Sequence, residues 1–106
     1  MSLAECPPER RASLLLFGNR HKLELMAAFA QAEDGRVNLS DLAHEQGVPA
    51  SVYYAPVNDL LRAGLVEKLP RQLPERRRWY RRSDSSVWPC VRALAVELST
   101  IEVKAS

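Results

Sequence analysis

Apolar positions along the chain fall into blocks whose spacing shifts from helical to strand-like and back. The first block is Glu9 to Phe17. Pro7 and Pro8 precede it and suit a helix start, where no backbone N–H is needed. Residues 1–8 read as a frayed, flexible lead-in. Leu14, Leu15, Leu16 and Phe17 form the expected buried end of this helix; Gly18 breaks it and Asn19 suits the next cap. His21 to Ala32 is apolar on nearly every side, through Leu23, Leu25, Met26, Ala27, Ala28, Phe29 and Ala30. A helix of that kind is sandwiched between other elements, so it is the expected centre of the core. Glu33-Asp34-Gly35 is a turn, and Val37 to Leu39 forms a short strand.

The next stretch, residues 40–64, has the punctuation of two short helices. Ser40 is an N-cap residue and Asp41 an acid suited to a helix N-terminus. Leu42 and Ala43 supply an apolar side, and Gly47 stops the helix by tolerating a left-handed backbone. Val48 plugs the turn, Pro49 opens a second helix, and Gly64 closes it after Ala63. Two short helices joined by such a turn make a helix-turn-helix, whose second helix can enter a DNA major groove. Tyr53, Val57, Leu60 and Leu61 give that second helix its core stripe. Pro56 leaves two readings open: a kinked helix, or one that begins late and leaves Ser51 to Ala55 as a turn. The kink is favoured, because Tyr53 fits the stripe only in helical register.

Residues 65–82 read as a hairpin, with strands Leu65 to Leu69 and Arg78 to Arg82 and a proline-punctuated loop from Pro70 to Arg77. Tyr80 is expected in the core and Trp79 on the hairpin's other face. A last helix spans residues 84–103, capped by Asp84, Ser85 and Ser86, with Pro89 in its first turn. Val87, Val91, Leu94, Leu98 and Ile101 recur along it at a/d spacing.

The run from Leu39 to Val66, with its GVP turn and AGLV ending, followed by a basic turn and Arg78-Trp79-Tyr80-Arg81, resembles the winged helix-turn-helix of the ArsR and MarR regulators. The overall length is closer to ArsR. The resemblance covers roughly Leu15 to Leu98. It implies a mainly α (α+β) domain with a small β-hairpin wing and terminal dimerisation helices. The second helix would lie in the major groove, and the wing tip on the phosphate backbone. Pro56 is a departure, since such families keep this helix uninterrupted.

Composition fits one small domain of 106 residues. A net charge of +2 says little, but its distribution says more: residues 71–82 hold six arginines against one acid, Glu75. No apolar run approaches the roughly 20 residues of a membrane span. Leu14 to Phe17 is too short for a signal-peptide core, so a cytoplasmic location is expected. Carboxylates occur singly, and no HExxH, CxxC, phosphate loop or nucleophile elbow is present. Neither catalytic residues nor a cofactor are expected. Asp41 and His44 are too few for a zinc site, so no metal is expected. Cys6 and Cys90 read as reduced thiols; the alternative is a redox switch, which the resemblance permits if the first and last helices pack together.

The residues expected to meet DNA are therefore of two kinds. Ala50, Ser51, Tyr54 and Asn58, with Ala55, form the forward face of the second helix. Tyr54 has the alternative of packing under the wing. Arg71, Arg76, Arg77 and Arg78 form the wing tip, where the guanidinium fork suits phosphate. The seam Val87, Val91, Leu94, Leu98 and Ile101 is the expected homodimer interface, with packing against the first helix of the same chain as the alternative for part of it. The function expected is that of a homodimeric, sequence-specific regulator on double-stranded DNA, with no effector legible. The alternative is a winged-helix protein–protein interaction module.

Overall fold

The computed structural model describes residues 8–71 and 78–99. Helix α1 (Pro8–Phe17) and helix α2 (Lys22–Gln31) lead into strand β1 (Arg36–Asn38) and helix α3 (Leu39–Gln46). A 3₁₀ turn (Ala50–Tyr53) runs directly into helix α4 (Tyr54–Arg62). Strands β2 (Val66–Lys68) and β3 (Trp79–Arg82) and helix α5 (Val87–Ser99) complete the order. The sheet is antiparallel with β3 in the middle, β1 on one side and β2 on the other. Val37 pairs with Tyr80, and Lys68 pairs with Tyr80 from the opposite edge.

Helix α2 is the centre the apolar pattern anticipates. Leu23, Leu25, Phe29 and Ala30 are fully buried, and α5 packs along it more extensively than any other element. Each large side chain so buried contributes roughly 1.5–3 kcal/mol. Phe29 meets Trp88 of α5 with ring centroids 5.8 Å apart. The indole N–H of Trp88 then donates to the Leu65 carbonyl at 3.2 Å, tying α5 to the start of the wing.

Several expectations need correction. Leu14 is half-buried, but Leu16 is 59% and Phe17 38% exposed, so α1 does not end in a buried cluster. Four consecutive residues sweep about 300° around a helix and cannot share a face. Leu15's side chain lies outside the described residues. Asn38, not Ser40, caps α3: its backbone is extended, and its Oδ1 accepts from the Asp41 N–H at 3.0 Å. Its Nδ2 donates to the Arg78 carbonyl at 3.2 Å, so one buried side chain starts α3 and pins the wing. Gly47 ends α3 with φ +66°, as the turn chemistry required.

The seam of α5 is also placed differently. Val91 is only 5% exposed, and Val87 packs against the same core. Leu94 packs against Leu23 of α2. These three are therefore engaged within the chain, Val91 buried and Val87 and Leu94 half-buried, and do not stand as an exposed strip. The spacing of an intrachain helix contact and of an interchain seam is the same, which is why periodicity did not separate them. Leu98's side chain and Ile101 lie outside the described residues.

Candidate nucleic-acid interface

The segment from Ala50 to Arg62 holds the residues expected to meet a groove. Val52 N–H donates to the Pro49 carbonyl and Tyr54 N–H to the Ser51 carbonyl, the i→i−3 pattern of a 3₁₀ turn. Tyr53, at φ −97° and ψ −5°, is the joint at which this turn becomes α-helical. Pro56 is consequently the third residue of α4 and not an interior one. First-turn N–H groups lack helical partners, so the ring costs no hydrogen bond. The helix is therefore not kinked at Pro56. It begins late, at Tyr54, with Ser51 to Tyr53 kept helical in the tighter form.

The core stripe nevertheless survives. Tyr53, Pro56, Val57 and Leu60 are buried and Leu61 half-buried. Opposite them Ser51, Tyr54, Ala55 and Asn58 are exposed, and Ala50 is half-buried. Tyr54 is 56% exposed, which excludes packing under the wing. Arg62, exposed on the same helix four residues beyond Asn58, extends this face with a cation. It is not among the residues expected from the sequence to meet DNA, although its i+4 spacing from Asn58 was an available signal. Asp59 is the one acid of α4, and Lys22 Nζ hydrogen-bonds its carboxylate at 2.8 Å. That hydrogen bond and the ammonium charge hold the Asp59 carboxyl below its ordinary value, with Arg62 adding to the effect.

The arginine-rich stretch divides by partner. Arg81 is ion-paired to Glu67 across the β2–β3 ladder, with Nε 2.9 Å from the carboxylate. Arg82 turns inward and donates to the carbonyls of Phe29, at 2.6 Å, and Ala32, capping the C-terminus of α2. Arg92 of α5 adds a second clamp there, donating to the Ala30 carbonyl at 2.6 Å. These arginines donate to carbonyls at the helix end, where intrahelical partners run out; the Ala32 carbonyl also accepts from the Gly35 N–H at 3.1 Å. Arg71 and Arg78 are exposed at the two stems of the hairpin loop. Arg76 and Arg77 lie outside the described residues. Tyr80 is buried as expected, and Trp79 is half-buried with the Arg36 guanidinium 4.8 Å from its ring centre.

Beneath the 3₁₀ turn sits a polar cluster that the apolar reading of α2 concealed. Glu24 is 6% exposed, and its carboxylate accepts from Tyr53 Oη at 3.1 Å and from Arg10 Nε at 3.2 Å. His21 Nδ1 lies against the same carboxylate, and the His21 ring meets Tyr53 edge-on. A single acid within a run of apolar residues was its only sequence signal. Among the described residues no group of three or more His, Cys, Asp or Glu is placed to hold a metal ion. Cys90 is exposed on α5, and Cys6 lies outside the described residues. No helix among the described residues is long and apolar enough to cross a membrane.

No protein-family model matches the sequence, and no curated protein does. Solved structures do. The adhesin competence repressor (AdcR) of Streptococcus pyogenes superposes with a TM-score of 0.58 at 10% identity, over 81% of this chain and 64% of that one. AbsC, a MarR family transcriptional regulator from Streptomyces coelicolor, gives a TM-score of 0.57 at 17% identity, over 81% and 57% of the two chains. The architecture is thus a winged helix-turn-helix resembling that of MarR regulators, α3 and α4 forming the helix pair and β2–β3 the wing. The chain spans about three-fifths of the length of these two proteins.

Proposed function

We propose that the protein is a DNA-binding transcriptional regulator without catalytic activity, reading double-stranded DNA with the outer face of the Ala50–Arg62 unit. The observation carrying this reading is the division of that unit. Its buried side is filled by Tyr53, Pro56, Val57 and Leu60, while Ser51, Tyr54, Asn58 and Arg62 stand outward with their polar groups in solvent. An outward helix of this composition, beside a hairpin with exposed Arg71 and Arg78, supplies both groove-reading and phosphate-binding groups. Arg76 and Arg77 belong to the same basic loop by sequence. In this reading Ser51 and Tyr54 meet phosphates or base edges, and Asn58 reads adenine or binds phosphate.

The active form in this reading is a homodimer. The exposed Leu16 and Phe17 at the end of α1 support it in place of the α5 seam. A two-fold dimer would bind an inverted repeat with half-sites about 34 Å apart, or a multiple of that.

A duplex selected by the protein from a random-sequence pool, and a scrambled duplex, give the test by salt-titrated anisotropy. Neutralising Arg76 and Arg77 together is expected to weaken both equally. It should flatten log affinity against log salt by roughly 0.9 per lost phosphate contact. Tyr54→Ala or Asn58→Ala is expected to weaken only the selected duplex, by about 1–3 kcal/mol, with the slope unchanged. If the arginine variant keeps the wild-type slope, the wing does not touch the backbone, and an interaction module explains the fold better.

A further inference from the structure

Glu24 lies where three separate elements meet. Arg10 reaches it from α1, His21 from the residue preceding α2, and Tyr53 from the joint between the 3₁₀ turn and α4. A carboxylate this enclosed persists only while it is paired and hydrogen-bonded, so its partners are held in place by the cost of releasing them. Tyr53 is itself fully buried, and it is the residue at which the recognition unit changes from 3₁₀ to α geometry. Holding its hydroxyl therefore fixes where α4 begins and how Ser51 and Tyr54 are presented on either side. A second strut runs in parallel, from Lys22 in the first turn of α2 to Asp59 of α4. At the other end α1 is locked onto α2 through fully buried Ser13, which accepts from the Leu23 N–H at 3.0 Å and donates to the Asn19 carbonyl.

We propose that Glu24 is a positioning residue that couples helix α1 to the DNA-reading face through the chain Arg10–Glu24–Tyr53. A change in how α1 is seated alters the partners available to the carboxylate. The carboxylate then alters the hold on Tyr53, and Tyr53 alters the start of α4. The exposed Leu16 and Phe17 stand on the same α1 that carries Arg10, so a second copy covering them in the proposed dimer would act on this lever. The coupling rests on the reading of Ala50–Arg62 as the nucleic-acid face for its functional meaning, but not for its existence.

The test uses the full chain with Tyr53→Phe, Arg10→Met and the double variant, each first shown to be folded at the measuring temperature. Tyr53→Phe removes one hydroxyl and keeps the ring in the core. Hydrogen exchange of residues 51–58 is the DNA-independent measurement. Arg10→Met, altered on α1, should accelerate exchange in that segment about as Tyr53→Phe does. Affinity for the duplex selected by the wild-type protein is the second. Each single variant should lose about tenfold for it, within the usual range of coupling between sites, while binding to scrambled duplex is unchanged. The double variant should lose little more than either single, because both act through one carboxylate. Unchanged exchange in 51–58 on Arg10→Met, or losses that multiply in the double variant, would overturn the coupling. If exchange responds as expected but the wild-type protein selects no duplex, the coupling stands and the DNA reading fails.

Discussion

Pro56 and Pro89 each occupy the third position of a helix, α4 in one case and α5 in the other. Pro56 is fully buried beside Val57 and Leu60, whereas Pro89 is exposed. Both rings lie in a first turn, where the missing N–H costs nothing, and both mark where their helix begins. The two helices then part company. Helix α4 buries one side and leaves Tyr54, Asn58 and Arg62 outward. Helix α5 buries Trp88, Val91 and Ala95 against α2, and its outward side carries Cys90, Ala93, Val96 and Glu97, with Arg92 turned to the Ala30 carbonyl. Equal apolar periodicity thus accompanies a polar outward face in one helix and an internal brace in the other. The residues facing away from the stripe make the difference.

The largest effect that would break this comparison is on α5. Trp88→Ala removes a ring packed on Phe29 and should cost about 3–5 kcal/mol, read by urea unfolding. Val91→Asp should likewise unfold the chain, because a carboxylate would be buried without a partner. A folded, monomeric Val91→Asp protein would restore the view that this stripe is a dimer seam. Next come the prolines. Pro56→Ala removes about two buried methylenes, worth roughly 0.8 kcal/mol each. With the unfolded-state entropy term of about 0.4–1 kcal/mol the total is about 2 kcal/mol. Pro89→Ala keeps only that entropy term. Equal losses at the two sites would mean that the burial difference has no energetic weight.

Smaller still, Tyr54→Ala should leave thermal stability within about 0.5 kcal/mol, as exposed positions do. Its neighbour Tyr53 is fully buried, so the pair sharpens the inside–outside division within one turn. The smallest effect is acid dependence. Lys22 holds the Asp59 carboxyl below its ordinary value, so the strut's stabilisation is present above pH about 3.8 and lost as pH falls through the lowered value. Lys22→Met should remove that acid-side loss from a stability profile between about pH 2 and 6. An unchanged profile would show that the strut contributes nothing measurable.

Much of the layout was legible because local chemistry wrote it. Gly47 and Gly64 end their elements with a left-handed backbone, at φ +66° and +73°, and Val37 and Tyr80 fall on paired strands. The outward set Ser51, Tyr54 and Asn58 follows from the helical period, which the late start of α4 left intact. What was not legible depends on tertiary context. The cap at Asn38 serves α3 and the wing at once, which no window around α3 contains. Glu24 sits in an apolar run, and its three partners lie 3, 14 and 29 residues away. The arginine cluster of residues 71–82 also holds two members with structural work that clustering alone does not reveal: Arg82 is committed to α2's carbonyls and Arg81 to Glu67.

That commitment of Arg82 sets rules for anyone re-engineering the molecule. The arginine lies over the Glu33–Gly35 turn so closely that a Cβ on Gly35 would stand 2.9 Å from its Cγ, and Gly35 itself holds φ +73°. Position 35 is therefore reserved for glycine twice over, by its left-handed backbone and by the Arg82 side chain. Removing Arg82 in turn strips donors from the end of the central helix. A library that diversifies the wing can spend its variation on Arg71 and Arg78, whose side chains stand in solvent. It should hold residues 35 and 82 constant as a pair, since each is the mould in which the other was cast.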